Sequence, residues 1–85
     1  MLLDQLPIGQ QARIGAIDWD AFAEPEGRRL RALGIDEGAM VSILHRGIFF
    51  GRDPLAVKIG RMTVAVRRMH ARHISVDAVE EAVAG

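Results

Sequence analysis

The side chains best suited to bind a transition metal in this sequence are His45, His70 and His73, because the chain contains no cysteine. His70-x-x-His73 would share one face if that stretch is helical. A ferrous site of two histidines and one carboxylate would then need Asp53 or Asp77 close by. No carboxylate lies within the predicted turn itself. These histidines are therefore read as exposed or interface residues; no metal site is assigned, and His70 and His73 remain only weak candidates. Phosphate chemistry fares no better. No Gly-x4-Gly-Lys-Ser/Thr loop occurs, and the glycines stand singly at turns, where left-handed backbone is needed. Ser42, Thr63 and Ser75 have no histidine at a spacing that would make one of them an activated nucleophile. Catalysis is not expected, and neither is a cofactor.

What remains is recognition chemistry. Arg28, Arg29 and Arg31 form either a partner patch or a solvated helix face paired with Glu24, Glu26, Asp36 or Glu37. Gly47-Ile48-Phe49-Phe50-Gly51 places three large apolar residues in a row. They cannot all face inward from a strand, whose neighbours alternate sides. Either Phe49 or Phe50 anchors a partner from a loop tip, or Ile48 and one phenylalanine plug the end of the fold. A groove for polyproline peptides is not expected, since Trp19 is the sole tryptophan and tyrosine is absent.

These residues must be carried by one small domain, 1–85, because 85 residues leave no room for two. Hydrophobic residues at 49% and charged residues at 26% describe an ordinary globular chain. No apolar run approaches the roughly 18–20 residues of a membrane span. The N-terminus has no basic region ahead of an apolar stretch, so a cytoplasmic location is expected. The net charge is zero, yet the middle of the chain is basic and both ends are acidic. Ten arginines against one lysine do not make the lysine-rich footprint of many nucleic-acid binders.

Residues 2–9 read as a lead-in closed by a turn at Pro7-Ile8-Gly9. Gln11–Trp19 reads as a strand whose step from Ile14 to Ile17 breaks period two, with Gly15 in the break. A bulge there repairs the alternation. A short helix follows, opened by Pro25 with Glu24 and Glu26 at its positive end. It is stopped by Gly34, with Leu30 and Leu33 on its buried stripe. Strands are expected over Ala39–His45, Leu55–Ile59 and Met62–Arg67, the last with Met62, Val64 and Val66 on one face. Arg46–Asp53 is expected as a loop and Gly60-Arg61 as a two-residue hairpin. One helical turn, Arg68–Arg72, leads to a short strand around His73–Val76. Asp77 and Glu80 form a cap-like pair opening a last helix to Ala84, an extension over 77–85 beyond a core of 6–76. Five short strands and one early helix point to a mainly β fold, a small SH3-like barrel.

The order of these pieces resembles the FeoA family of bacterial ferrous iron transport. Gly9 with Ala12-x-Ile14 matches its opening turn and strand, and Arg29-Leu30-x-x-Leu33-Gly34-Ile35-x-x-Gly38 matches its helix-and-turn signature. Val41-x-Ile43, Asp53-Pro54-Leu55, and Val64-Ala65-Val66-Arg67 with Ala71, Ile74 and Val76 continue the series. The loop before Asp53 looks longer than usual, and Gly60 stands one place early. The resemblance implies an SH3-like domain without catalytic residues, acting as a cytoplasmic adaptor, at the inner face of the membrane through its partner. That partner is FeoB, the transporter with a cytosolic GTP-binding domain. Homo-oligomerisation stays open; nucleic acid and direct membrane insertion are not expected. The alternative is an SH3-like module of the metal-dependent regulator type, or a nucleic-acid-associated small barrel. It lacks a helix-turn-helix ahead of the domain.

Overall fold

The computed structural model describes residues 1–50 and 53–79; the side chains of residues 48–50 fall outside that description. After a 3-10 turn at Leu3–Gln5 come β1 (Ala12–Ile17), a second 3-10 turn (Trp19–Ala21) and α1 (Glu24–Ala32). They are followed by β2 (Met40–Phe50), β3 (Asp53–Ile59), β4 (Met62–Val66), α2 (Arg68–Ala71) and β5 (Ile74–Ala78). The five strands form one antiparallel sheet in the order β4-β3-β2-β1-β5. The sheet does not close on itself: β4 and β5 are its two edges.

Local chemistry accounts for most of the boundaries. The register between β1 and β5 shifts between Ile14 and Ala16, so the bulge falls at Gly15. It turns Ile14 and Ile17 to the same buried side. Pro25 occupies the first turn of α1, where its missing N–H removes nothing. At the other end, Gly34 has φ +98°. The N–H of Ile35 donates to Leu30 O at 2.9 Å and that of Gly34 to Arg31 O at 3.0 Å. This is a Schellman closure, sealed by the contact side of Leu30 and Ile35, both wholly buried. In the β3–β4 hairpin only Gly60 of the central pair has positive φ, +58°. A II′ connection asks for glycine first, so the early position of Gly60 is the turn type this hairpin uses.

Three expectations need correction. The stretch from Arg46 onward is not a loop: β2 runs to Phe50, which pairs with Asp53. Irregular register between Ile43 and His45 and between Arg46 and Phe50, with Gly47 at φ +54°, erases the alternation that would have revealed a strand. Met62 shares the face of Val64 and Val66 but is 45% exposed, because it closes the hairpin at the rim of the sheet. Asp77 opens no helix; it and Ala78 belong to β5, opposite Arg13 and Ala12. Residues 80–85, where the last helix was expected, lie outside the described residues. The lead-in is core. Leu3 and Leu6 are wholly buried with Ile14, Leu30, Ile43, Leu55, Val57, Val66 and Ile74.

That first segment is tied down along its length. Leu2 bridges to Ser75, the N–H of Val76 donates to Met1 O at 2.8 Å, and the amino terminus donates to Val76 O at 3.1 Å. The Arg46 guanidinium donates to Asp4 O at 2.6 Å and also to Leu6 O. The outer edge of β5 is therefore covered by the chain's own beginning.

Candidate partner interface

The 3-10 turn after β1 places Trp19 and Phe22 edge to face, with ring centroids 5.9 Å apart. The second turn of α1 then crosses the indole. A Cβ on Gly27 would lie 3.6 Å from Trp19, an ordinary contact, so the helix sits directly on the ring. Arg31, one turn on, lays its guanidinium 4.2 Å from the centroid of the Trp19 ring. The indole N–H donates to Glu37 Oε2 at 3.2 Å from the turn beyond the helix. Trp19, Phe22, Ala23, Gly27, Arg28 and Arg31 thus line a shallow depression of about 230 Å³. That is smaller than the roughly 300–1,000 Å³ of a small-molecule site.

The three helix arginines therefore have different surroundings. Arg28 pairs with Glu24, one turn back, with both side chains about three-quarters exposed. Arg29 pairs with Glu26 at 2.8 Å. Arg31 forms no ion pair among the described residues and rests on an aromatic face instead. The Arg29 hydrogen bond holds the Glu26 carboxyl below its ordinary value against the opposing effect of burial; smaller attractions from Arg29, His70 and Arg67 add to it. The same hydrogen bond raises Arg29.

Glu26 is also where the histidines enter. His70 Nδ1 lies 3.5 Å from Glu26 Oε1, so the carboxylate missing from the sequence around His70 comes from α1. Phe22 stands edge-on to both rings, 5.2 Å from His70 and 6.1 Å from His73. Neither Asp53 nor Asp77, one of which a ferrous site would have required, joins them. Asp53 Oδ1 accepts the Arg68 N–H at 2.8 Å at the start of α2, and Asp77 of β5 stands opposite Arg13 of β1. Among the described residues no group of three histidines and carboxylates converges to hold a metal ion. Phe49 and Phe50 end β2, but their side chains lie outside the described residues.

Sequence reasoning missed a second charged cluster. Asp4, 11% exposed, lies 3.5 Å from Arg72 Nε and 3.9 Å from Arg68 Nε. Its role is to join the first segment to α2. No local signal could have found it, because a single aspartate in a lead-in has no pattern.

The family model for the FeoA domain matches residues 1–78. No curated protein matches the chain. Among solved structures, FeoA of Stenotrophomonas maltophilia, a prokaryotic SH3 domain protein complexed with zinc, is 33% identical with a TM-score of 0.74. The match covers 91% of this chain and 89% of that one. FeoA from Chlorobium tepidum is 28% identical with a TM-score of 0.80, over 98% and 76% of the two chains. Iron(II) transport protein A from Clostridium thermocellum is 26% identical with a TM-score of 0.78, over 93% of this chain but 46% of that one. This chain thus spans about half the length of that relative. A manganese-dependent transcriptional repressor, 24% identical with a TM-score of 0.75 over 41% of its chain, shares the fold alone. The five-stranded sheet with its short helices is thus SH3-like, and the match over 1–78 shows that this chain belongs to the FeoA family.

Proposed function

We propose that this chain is a non-catalytic accessory protein of bacterial ferrous iron transport. It acts in the cytoplasm by docking on the cytosolic part of an FeoB-type transporter and modulating it. The observation that carries the reading is the family match from residue 1 to residue 78, nearly the whole chain. The chemistry of the described residues supports it. They hold no converging metal ligands, and none of their helices is long and apolar enough to cross a membrane. Recognition falls to the face of α1 that carries Arg28, Arg29 and Arg31, with Trp19 beneath Arg31. Phe49 and Phe50 join it on sequence grounds as apolar anchors. Arginine and aromatic groups are the side chains that partner interfaces favour.

The test is a calorimetric titration of the purified chain into the isolated cytosolic domain of the transporter. Saturable binding is expected, weakened by Arg28→Glu with Arg31→Glu. No heat of binding with both components at about 100 μM, a concentration that reports affinities down to roughly 5–6 kcal/mol, would overturn the reading.

A further inference from the structure

The two edges of the sheet are not alike. The outer edge of β5 is covered by Met1 and Leu2, whereas no backbone hydrogen bond from the described residues reaches β4 except from β3. In a two-residue hairpin the closing pair, here Ile59 and Met62, exchanges both ladder bonds, and the pattern alternates from there. Met62, Val64 and Val66 therefore bond to β3. The N–H and C=O groups of Thr63 and Ala65 point away from the sheet.

Natural edges are usually blunted by a proline, a bulge or a charge within the strand. β4 has none of these. Its sequence is Met62-Thr63-Val64-Ala65-Val66, and its register against β3 is continuous. The charges stand at its two ends, as Arg61 and Arg67, both exposed. Neither forms an ion pair among the described residues. Arg67, in extended backbone, continues the alternation onto the outer face with Thr63 and Ala65, and Arg61 stands in the hairpin turn at the other end of the edge. Lys58, opposite Thr63, adds a third positive group to the outer face.

This arrangement selects its occupant. A second copy paired antiparallel about Val64 would align Thr63 with Ala65 well. It would also set Arg61 of one chain against Arg67 of the other, twice over, and like charges directly opposite destabilise a ladder. A strand with an uncharged centre and a carboxylate at each end meets the same edge with both charges matched. We propose that the free edge of β4 is a strand-docking site for an extended, acid-flanked segment of a partner protein, held by the backbone of Thr63 and Ala65 and by Arg61 and Arg67. The site lies on the sheet rather than on α1, and it does not depend on which protein supplies the segment.

The probe is a synthetic peptide of alternating threonine and valine with a glutamate at each end, long enough to span Arg61 to Arg67. Amide hydrogen exchange of the full chain is followed by NMR. In the free chain the Thr63 and Ala65 amides exchange fast while those of Val64 and Val66 are protected. Saturating peptide protects Thr63 and Ala65. Reversing both charges (Arg61→Glu with Arg67→Glu) weakens binding about tenfold or more, since two exposed ion pairs become two repulsions. Ala65→Pro removes an outward N–H without touching the bonds to β3 and abolishes binding. Should that variant misfold, the charge reversal and a lysine-ended peptide, which should not bind, carry the test. Protection of Thr63 and Ala65 in the dilute free chain would overturn the proposal. So would equal binding of the lysine-ended peptide, or concentration-dependent protection without peptide, which would mean that a second copy occupies the edge.

Discussion

Replacing Leu3 with alanine separates a lead-in from a core element. Leu3 is wholly buried beside Leu6 in the cluster that holds Ile14, Val76 and Ile74. Truncating a fully buried leucine removes transfer free energy and leaves a cavity, which together cost about 2–5 kcal/mol in well-packed sites. The segment is pinned on both sides of Leu3, by Met1 and Leu2 on β5 and by Arg46 on Asp4 O, so it cannot collapse far into the void. It is also near the chain terminus, where some relaxation is available. The expected loss is about 2–4 kcal/mol. With a urea slope of roughly 1 kcal/mol/M for so small a domain, the midpoint falls by about 2–4 M. Each kcal/mol corresponds to about 4–8 °C, so the melting temperature falls by about 8–32 °C. Met69→Ala, at a side chain 61% exposed on α2, is the control and stays within about 0.5 kcal/mol. Equal midpoints for the two variants, with unchanged slope, would refute the assignment of the first segment to the core.

Arg31→Ala takes the guanidinium off the indole. It lowers stability by about 0.5–1 kcal/mol, and because Trp19 is the only tryptophan its emission reports the change directly. Gly34→Ala forces a side chain into φ +98°, where its Cβ also meets Ile59 Cγ2 at 3.4 Å. A cost of about 1–2 kcal/mol follows, read from the urea midpoint. Glu26 is held below its ordinary value by the Arg29 hydrogen bond, so its contribution is present above the unfolded carboxylate value. It is lost as pH falls through the lower folded value. Glu26→Gln should therefore lower stability at neutral pH and flatten the acid limb of a stability–pH profile, with no change in slope at alkaline pH.

The parts of this protein legible in its sequence are those that one or a few residues dictate locally. Gly15 marks the bulge because the apolar period breaks there. Gly34 stops α1 because only a glycine takes that backbone at little cost, and Gly60 closes the β3–β4 hairpin for the same reason. Leu30, Val41, Ile43, Val57, Val64, Val66 and Ile74 are buried as their periodicity indicates, while Leu33 and Ile59 are partly buried against them. The pairings of Arg28 and Arg29 along α1 are likewise helical spacings. Tertiary structure alone decided the rest. Leu3 and Leu6 are core because the first segment is drawn over α2 and β5, which no period within that segment could announce. β2 continues past His45 because β3 supplies the partner backbone, even where bulges scramble the alternation. Arg31 meets Trp19 because the turn after β1 folds back under α1, and Glu26 meets His70 only after the sheet has brought their distant segments together. The open edge of β4 is likewise a property of strand order. Any of the five strands could have ended the sheet, and among the described residues the first ones cover β5 while none but β3 bonds to β4, because hydrogen-bond partners across a sheet are set by topology and not by the strand's own residues.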